Sequence, residues 1–236
     1  ASGEIERFKA RLVARGDSQV AGIDYEELFA PVVRYDSLRL LLAITAAKGW
    51  KTRQLDVKTA FLHGKLKEEI YMRLPEGSRI DGKCARLRRC LYGLKQSPRE
   101  WYARLINYLL PLGFEITAFD PCVLIHRKWN LFLAIYVDDI SMFGPQGTHM
   151  DRLLKALETE FEIKDLGPIH WLLGMKIEHT DKAISLSQEL YIQAMLDKFG
   201  MMDCRSVSTP ADHNVRLLKR SPDEPTADKT QYQQII

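Results

Sequence analysis

An acidic pair set between two apolar runs constrains the fold more than any other feature of the sequence. Residues 131–137 are mostly apolar, Asp138 and Asp139 follow directly, and the apolar pattern resumes over residues 140–143. Both runs are far shorter than the ~20 residues that a membrane-spanning helix requires. The pattern predicts two successive antiparallel strands of a soluble chain, with the two acids at the hairpin tip.

Two adjacent aspartates are an unusual choice for a hairpin turn, where Asn and Gly are preferred. Like charges side by side repel each other unless a cation lies between them. One interpretation of the pair is a solvated acidic turn. The other is a metal site, for which Asp56 supplies a third acid, because it ends a predicted strand over residues 50–55. On that interpretation we expect Asp56, Asp138 and Asp139 to meet on one rim of a single sheet.

Three carboxylates on a sheet edge match the needs of two divalent cations ~3.5 to 4 Å apart, which activate a hydroxyl and neutralise a leaving pyrophosphate. Hard oxygen ligands select Mg²⁺ or Mn²⁺ over zinc. The chemistry that this arrangement favours is phosphoryl transfer on nucleotides.

A positively charged segment independently indicates a phosphate-containing partner. The net charge of +3 is small, but nine Lys or Arg residues and only three acids lie between Arg73 and Arg104. A phosphate backbone is the natural partner of such a stretch, in which Tyr92, Trp101 and Tyr102 are interleaved. A solvated basic surface is the alternative interpretation.

The cysteines and histidines argue against disulfides and zinc. Four cysteines are scattered without a Cys-x-x-Cys pair, and the six histidines lack zinc-finger spacing. The first residues lack the apolar core of a secretory signal. These features predict reduced thiols in a cytoplasmic protein that is not secreted and has no membrane partner.

Strands and helices are predicted in separate groups rather than in β-α-β alternation, which favours an α+β fold with an antiparallel sheet. A polar tail, residues 206–236, is expected to be poorly ordered. The other predicted elements are a strand pair over residues 4–14, a helix from an N-cap at Ser37 to a stop at Gly49, a strand over 68–74, a helix opened by a Ser97, Pro98 and Glu100 capping box, a helix over 151–161, a hairpin of strands 171–178 and 183–187, and a helix over 189–199.

Four motifs in order along the chain carry a family resemblance. Residues 136–139, Tyr-Val-Asp-Asp, resemble the Tyr-x-Asp-Asp box of reverse transcriptases. Residues 7–16, 54–64 and 91–98 resemble segments of the polymerase region of copia-type LTR retrotransposon polyproteins. The resemblance extends from about Glu4 to Pro210, and four ordered motifs are far more specific than the acidic pair alone.

The resemblance implies a right-hand polymerase fold, with an antiparallel palm sheet, helices packed on one face and a truncated thumb. The implied fingers are residues 1–48 and 65–100, the palm 49–64 and 101–187, and the thumb start 188–205, with 206–236 as a tail or the start of the connection. The implied activity is an RNA-directed DNA polymerase that adds dNTPs to a primer 3′-OH with two Mg²⁺ ions, or Mn²⁺. An RNA or DNA template with its primer, dNTPs and other polyprotein segments are the implied partners, and virus-like particles are an implied location.

The resemblance also implies roles for individual residues. Asp56, Asp138 and Asp139 are the implied catalytic and metal-binding carboxylates, with Val57 in the same metal site. The implied dNTP contacts are Lys9, Arg11, Phe61 and Tyr92, where Phe61 is the aromatic under the incoming deoxyribose. The implied template and primer contacts are Gly93, Lys95, Gln96, Ser97, Arg99, Tyr136, Leu173, Gly174 and Met175. A core aromatic at Phe61, an exposed strand face at Lys9 and Arg11, and a well packed hairpin at 171–177 are the alternatives.

Two other functions stay open at this point. The chain starts inside the fingers motif, stops after one thumb-like helix and lacks an acidic cluster for an RNase H or integrase domain, so we expect a polyprotein fragment or a decayed copy. An inactive remnant that at most binds nucleic acid is the alternative function. A metal-dependent nuclease or cyclase with a palm-like sheet is the third, and it leaves Phe61 and residues 91–98 unexplained.

Overall fold

The acidic pair lies at one end of a six-stranded antiparallel sheet in the computed structural model of the protein. The structure describes residues 10–75, 77–78, 82–180, 183–210, 228–230 and 233. Lys9 and the part of the predicted strand pair before residue 10 lie outside the described residues. The chain divides into two units, Ala1–Gln188 and Glu189–Ile236.

Strands and helices of the described residues are numbered here in chain order. The strands are β1 (Lys51–Val57), β2 (Lys65–Arg73), β3 (Cys84–Arg89), β4 (Glu115–Ile116), β5 (Val123–His126), β6 (Leu131–Tyr136), β7 (Asp139–Gly144), β8 (Ile163–Gly167), β9 (Trp171–Leu172), β10 (Met175–His179) and β11 (Ile184–Ser187). The helices are α1 (Tyr35–Lys48), α2 (Ser97–Leu109), α3 (Thr148–Glu160) and α4 (Glu189–Lys198), and 3₁₀ turns occur at Gly16–Ser18, Ala60–His63, Leu110–Leu112 and Arg127–Trp129.

The central sheet has the strand order β4-β5-β6-β7-β1-β8, and all its neighbouring strands are antiparallel. Strands β9, β10 and β11 form a separate three-stranded sheet, and β2 pairs with β3 alone. The prediction of mixed helices and antiparallel sheet is confirmed. The order matters for function because it places β7, which starts with Asp139, directly beside β1, which carries Asp56.

One hydrophobic core joins the central sheet to helices α1, α2 and α3. Leu55, Leu133 and Phe143, from β1, β6 and β7, are fully buried, and Leu41 of α1 and Leu105 of α2 belong to the same cluster. A second, smaller cluster contains Ala14, Ile70 and Leu94, with Leu66, Met72, Leu87 and Leu91 packed against it. This smaller cluster holds the β2–β3 hairpin, residue 14 and the loop before α2 together.

Helix α1 begins earlier than its predicted N-cap. Ser37 lies within the helix, and Arg34 is the N-cap residue. The Ser37 hydroxyl instead donates a 2.6 Å hydrogen bond to Oδ2 of buried Asp120, so a distant carboxylate uses the group that the sequence assigned to capping. The predicted stop is confirmed, since Gly49 closes the helix in the left-handed conformation with φ 61°.

The predicted capping box of α2 is wrong for the same kind of reason. Ser97 is the first helical residue, and its hydroxyl donates to the Leu91 carbonyl at 2.7 Å. The Glu100 carboxylate accepts from Lys67 at 3.0 Å and from Arg99 at 3.2 Å. Pro98 does lie in the first turn, where its missing N–H costs no hydrogen bond.

Two strand predictions also fail. Residues 10–14 contain no strand, and the Ala14 N–H donates to the Tyr92 carbonyl at 2.7 Å. Residues 171–178 form two strands instead of one, because the chain reverses at Leu173 and Gly174, with φ 49° and 78°. A Leu with positive φ is uncommon, so composition did not indicate this turn.

The second unit contains α4, whose prediction is confirmed. The helix is followed by Gly200 with φ 63°, and the Met201 N–H donates to the Leu196 carbonyl at 2.7 Å. Both are features of a glycine-terminated helix. In the part of the chain that the structure describes, no helix is long and apolar enough to cross a bilayer, and all four cysteines are free.

Candidate active site

The antiparallel register places two of the predicted site acids directly opposite each other. Asp56, near the end of β1, is the partner of Asp139, the first residue of β7. On the other side of β7, Asp139 is the partner of Tyr136, the last residue of β6. Directly opposite residues of antiparallel strands project from the same face with Cβ atoms about 5 Å apart. Asp56, Asp139 and Tyr136 therefore form one row across three adjacent strands.

The third acid lies in the turn that joins β6 to β7. This turn consists of Val137 and Asp138, and Val137 has a φ of 56°. A β-branched residue with positive φ is a true backbone outlier, and such strain collects at functional sites. The correction to the sequence analysis is that Asp139 belongs to the strand, so only one acid of the pair occupies the hairpin tip.

Both carbonyl groups of the turn accept hydrogen bonds from other elements. The Val57 N–H donates to the Asp138 carbonyl at 2.9 Å, which ties the turn to the end of β1. The indole N–H of Trp101, from α2, donates to the Val137 carbonyl at 2.7 Å. The conformation of the turn is therefore fixed from two sides.

The surroundings of Asp139 at this end of the sheet disfavour its charged form. Burial, followed by the negative charges of Asp138 and Asp56, raises the pKa of Asp139 above its usual range. A hydrogen bond from Gln54 opposes that shift. A cation bound among the three carboxylates would remove the repulsion, because it favours their ionised forms.

The donor set fits a divalent cation by its chemistry. Carboxylate oxygens are hard ligands, which suit Mg²⁺ and Mn²⁺. Among the residues that the structure describes, however, no group of three or more His, Cys, Asp or Glu side chains is already arranged to hold a metal ion. The strands bring the three acids to one end of the sheet, but the carboxylates of these described residues are not arranged as a complete set of metal ligands.

Three of the predicted dNTP contacts form a stack next to the acids. The rings of Phe61 and Tyr92 meet edge to face with centroids 4.8 Å apart, and the Arg11 guanidinium lies 5.5 Å from the Tyr92 ring centre. Burial and the charges of Asp138 and Asp56 raise the pKa of Tyr92, and Arg11 opposes this. The negative charges of Asp138 and Asp56 therefore act on Tyr92, which places the Tyr92 end of the stack near the acidic strand ends.

Residues 95–97, which the resemblance assigns to the template and which lie where the loop enters α2, make contacts within the chain. Lys95 Nζ donates to the Gln19 carbonyl at 3.2 Å and lies 4.9 Å from the Tyr25 ring centre. Gln96 is buried and donates to the Asp24 carbonyl at 2.9 Å. Lys95 and Gln96 thus hold residues 19–25 against the loop, and the hydroxyl of buried Ser97 donates to the Leu91 carbonyl within the loop. A template contact by these three side chains stays a prediction.

The remaining predicted template and primer residues are dispersed. Arg99 forms ion pairs with Glu27 and Glu100. Gly93 has φ 91° and lies against the Ala14 carbonyl. Leu173 and Gly174 form the turn between β9 and β10, and Met175 is buried at the start of β10.

Sequence reasoning missed three residues that shape the site. Trp101 and Val137 hold the acidic turn, and Gln54 hydrogen-bonds Asp139. The sequence could have indicated Gln54, because it precedes Asp56 by two residues and therefore lies on the same face of β1. The contact between Trp101 and Val137 joins positions 36 residues apart, and no local pattern in one sequence could have indicated it.

Comparison with known protein families identifies the family to which this chain belongs. Residues 2–213 match the family described as reverse transcriptase (RNA-dependent DNA polymerase). The chain belongs to the reverse transcriptase family. The resemblance drawn from the four sequence motifs is thereby confirmed.

Curated relatives narrow the family to the Pol polyproteins of retrotransposons. The chain is 42% identical over 225 residues to the retrovirus-related Pol polyprotein from transposon TNT 1-94 of Nicotiana tabacum, which covers 92% of this chain and 17% of the relative. It is 37% identical to that from transposon RE1 of Arabidopsis thaliana, covering 99% and 16%. A Ty1-BR Gag-Pol polyprotein of Saccharomyces cerevisiae is 30% identical, covering 82% and 11%. The chain is similar to the reverse transcriptase domain of such polyproteins and spans about one sixth of the plant relatives' length.

Proposed function

We propose that this domain is an RNA-directed DNA polymerase, which transfers a nucleotidyl group from a dNTP to a primer 3′-OH under the direction of a template. The observation that carries the proposal is the register that sets Asp56 opposite Asp139, with Asp138 in the adjoining turn. Family membership supports the same activity. The alternative of a solvated acidic turn does not explain why Asp56, on a different strand, lies directly opposite Asp139.

The metal-binding part of the proposal rests on the three carboxylates. Enzymes of this family generally use divalent metal ions, which in such reactions activate the attacking hydroxyl and neutralise the leaving pyrophosphate. Asp56, Asp138 and Asp139 would hold the ions, with the backbone carbonyl of Val57 as a further oxygen ligand. The raised pKa of Asp139 supports this assignment, because a site crowded with negative charge is suited to a cation.

The nucleotide would bind against the stack beside the acids. Arg11 supplies a positive charge for the triphosphate, together with Lys9. Phe61 and Tyr92 supply an aromatic surface, on which Phe61 would lie against the C2′ side of the deoxyribose. Their 4.8 Å edge-to-face contact supports the assignment, because it limits the movement of the Phe61 ring.

The finer architecture is also a proposal. We assign the central sheet to a palm, the β2–β3 hairpin with residues 10–48 to fingers, and α4 to the start of a thumb. Tyr136, Leu173, Gly174 and Met175 would lie on the primer side, and residues 93–99 on the template side. Other segments of a retrotransposon polyprotein would be its intracellular partners.

The test is template-dependent incorporation of dNTPs on a primed RNA template in the presence of Mg²⁺. Asp138→Asn should lower the rate on the order of a thousandfold, because several kcal/mol of metal-assisted stabilisation is lost. Asp203→Asn, at an exposed position of the second unit, is the matched control and should leave the rate unchanged. Incorporation that survives Asp138→Asn would contradict the proposed site. A wild-type chain that binds primer and template without any incorporation would favour the inactive remnant.

A further inference from the structure

We propose that Trp101 is a positioning residue for Asp138, acting through the hydrogen bond between its indole N–H and the Val137 carbonyl. The inference rests on the proposed polymerase function, since it concerns the acid expected to bind the metal ions. Trp101 itself touches neither substrate nor metal in this scheme. Its role is to fix the backbone from which the carboxylate of Asp138 extends.

The geometry of the turn gives the first argument. The peptide group before Asp138 carries the Val137 carbonyl, which Trp101 holds at 2.7 Å. The peptide group after Asp138 carries its own carbonyl, which the Val57 N–H holds at 2.9 Å. Both peptide planes that flank the Asp138 Cα are thus anchored, one from α2 and one from β1. Because those two planes set the direction of the Cα–Cβ bond, the anchors orient the carboxylate.

The second argument is that this turn needs an external anchor. Val137 has a φ of 56°, a conformation that is strained for a β-branched residue. A strained conformation persists only where its surroundings enforce it. The carbonyl of the strained residue itself accepts the hydrogen bond from Trp101. Loss of that bond would let the turn relax toward a different backbone conformation.

The third argument is that Trp101 is itself rigidly held. Its side chain is 1% exposed. The Phe161 ring meets it edge to face at 5.3 Å and 84°, and the His63 ring lies 5.8 Å away. The indole can only donate, and a buried indole N–H normally finds an acceptor. A donor fixed by packing on a rigid helix is suited to hold a catalytic group in place.

Trp101→Phe is the informative change, because it removes the donor while keeping a smaller aromatic ring in the core. We expect kcat for dNTP addition to fall on the order of ten to a hundredfold, with KM for dNTP changed less than about threefold, since small misplacement of a reacting group costs rate more than binding. The Mn²⁺ affinity of the free protein, measured by electron paramagnetic resonance, should weaken severalfold in parallel.

Trp129→Phe is the matched control, because Trp129 also packs against the core but lies at the far end of β6 from the turn. A smaller ring by itself should lower the free energy of unfolding in both variants, more for buried Trp101 than for partly buried Trp129. In Trp129→Phe, kcat and Mn²⁺ affinity should be retained. Equal kcat and equal Mn²⁺ affinity in Trp101→Phe and wild type would overturn the inference while leaving the proposed function intact.

Two further outcomes separate the inference from the proposed function. If the wild type shows no polymerisation, the proposed function fails for this chain, and the Mn²⁺ comparison still decides the role of Trp101. If the wild type also binds no Mn²⁺, the inference fails with it. Slow hydrogen exchange of the Trp101 indole, by nuclear magnetic resonance, is expected in either case, and fast exchange would contradict the anchor itself.

Discussion

Asp139 illustrates how a proposed metal ligand can weaken the fold that carries it. Its pKa is raised by burial and by Asp138 and Asp56, so ionising this carboxyl costs more free energy in the folded chain than in the unfolded chain. Asp139→Asn removes that repulsion and should raise the unfolding midpoint in EDTA by about 2 °C, the order of shift that 1 kcal/mol gives in a domain of this size. Polymerase activity should be lost at the same time. A midpoint that falls in EDTA would show that the acids do not repel one another.

His63 gives the fold a pH dependence of predictable sign. Its Nε2 is buried and has no hydrogen-bond partner among the described residues. Burial lowers the pKa of His63, and a hydrogen bond with the Lys58 backbone only partly opposes this. Unfolded histidine therefore binds a proton more readily than the folded site does, so the free energy of unfolding should fall as pH drops from the usual value of about 6.5 toward the lower folded pKa.

The measurement is the urea midpoint of wild type and His63→Phe between pH 8 and pH 5. The difference between the two proteins should change in favour of the variant as pH falls. His170→Phe, at an exposed position, is the control and should keep a constant difference from wild type. A constant difference for His63→Phe would mean that His63 is solvated or paired in solution.

Phe61 is the residue at which sugar selection should be decided. A large flat side chain against C2′ excludes a ribose 2′-OH by a clash. Phe61→Val should therefore lower the ratio of kcat/KM for dNTP over rNTP by at least about tenfold, while costing less dNTP activity than Asp138→Asn. The contact with Tyr92 supplies a control, since Tyr92→Phe keeps the ring that supports Phe61 and should preserve the ratio. An unchanged ratio in a folded Phe61→Val variant would make Phe61 an ordinary core aromatic.

At the scale of elements, two glycines let residues 14–16 lie against the loop before α2. A Cβ on Gly16 would lie 1.9 Å from the Gly93 carbonyl oxygen, and one on Gly93 would lie 2.0 Å from the Ala14 carbonyl oxygen. Gly16→Ala should therefore lower the free energy of unfolding by roughly 1 to 3 kcal/mol, the range for an overpacked contact. Gly22→Ala, which has open space but φ 79°, isolates the backbone cost and should lose about 1 kcal/mol, the lower end of the range for a non-glycine residue in the left-handed conformation. Equal losses would argue against the close approach.

The elements also show what one sequence can predict and where it stops. Periodicity and terminators predicted α1, α4, the stop at Gly49 and the hairpin at the acidic pair, because those signals are local. The caps at Ser37 and Ser97 were misassigned because Asp120 and the Leu91 carbonyl recruit the two hydroxyls in the folded chain. The alignment of Asp56 with Asp139 was expected from strand ends, whereas the contact from Trp101 to the turn depends on packing that no local pattern encodes.

At the scale of the whole molecule, the positively charged segment between Arg73 and Arg104 contains some side chains that pair with acids of the chain and others that do not. Arg99 and Arg104 are bonded to acids of the chain, Glu27 and Glu100 for Arg99 and Glu160 for Arg104. The β2–β3 hairpin differs, because alternate residues of both strands are exposed. On its other face, Ile70 belongs to the small hydrophobic cluster, and Leu66, Met72 and Leu87 pack against it. Its exposed residues are Lys65, Lys67, Glu69, Tyr71, Arg73, Cys84, Arg86 and Arg88, with Arg89 also exposed. On this face Lys67 pairs with Glu100 and Arg86 with Glu69. The charges that a phosphate backbone would meet there are those of Lys65, Arg73, Arg88 and Arg89, which form no ion pair within the described residues.

Arg73 and Arg88 are exposed on that face, and neither forms an ion pair within the described part of the chain. If each contacts a phosphate, Arg73→Gln with Arg88→Gln should make the plot of log K against log salt for duplex binding shallower by about 1.8, at ~0.9 per contact. The pair Arg104→Gln and Arg127→Gln removes the same net charge from guanidinium groups already bonded to Glu160 and Glu115, and should change the slope much less. Fluorescence anisotropy between 50 and 300 mM salt measures both slopes. Equal slopes for the two double variants would show that the effect comes from net charge alone. The hairpin face would then be an ordinary solvated surface without specific phosphate contacts.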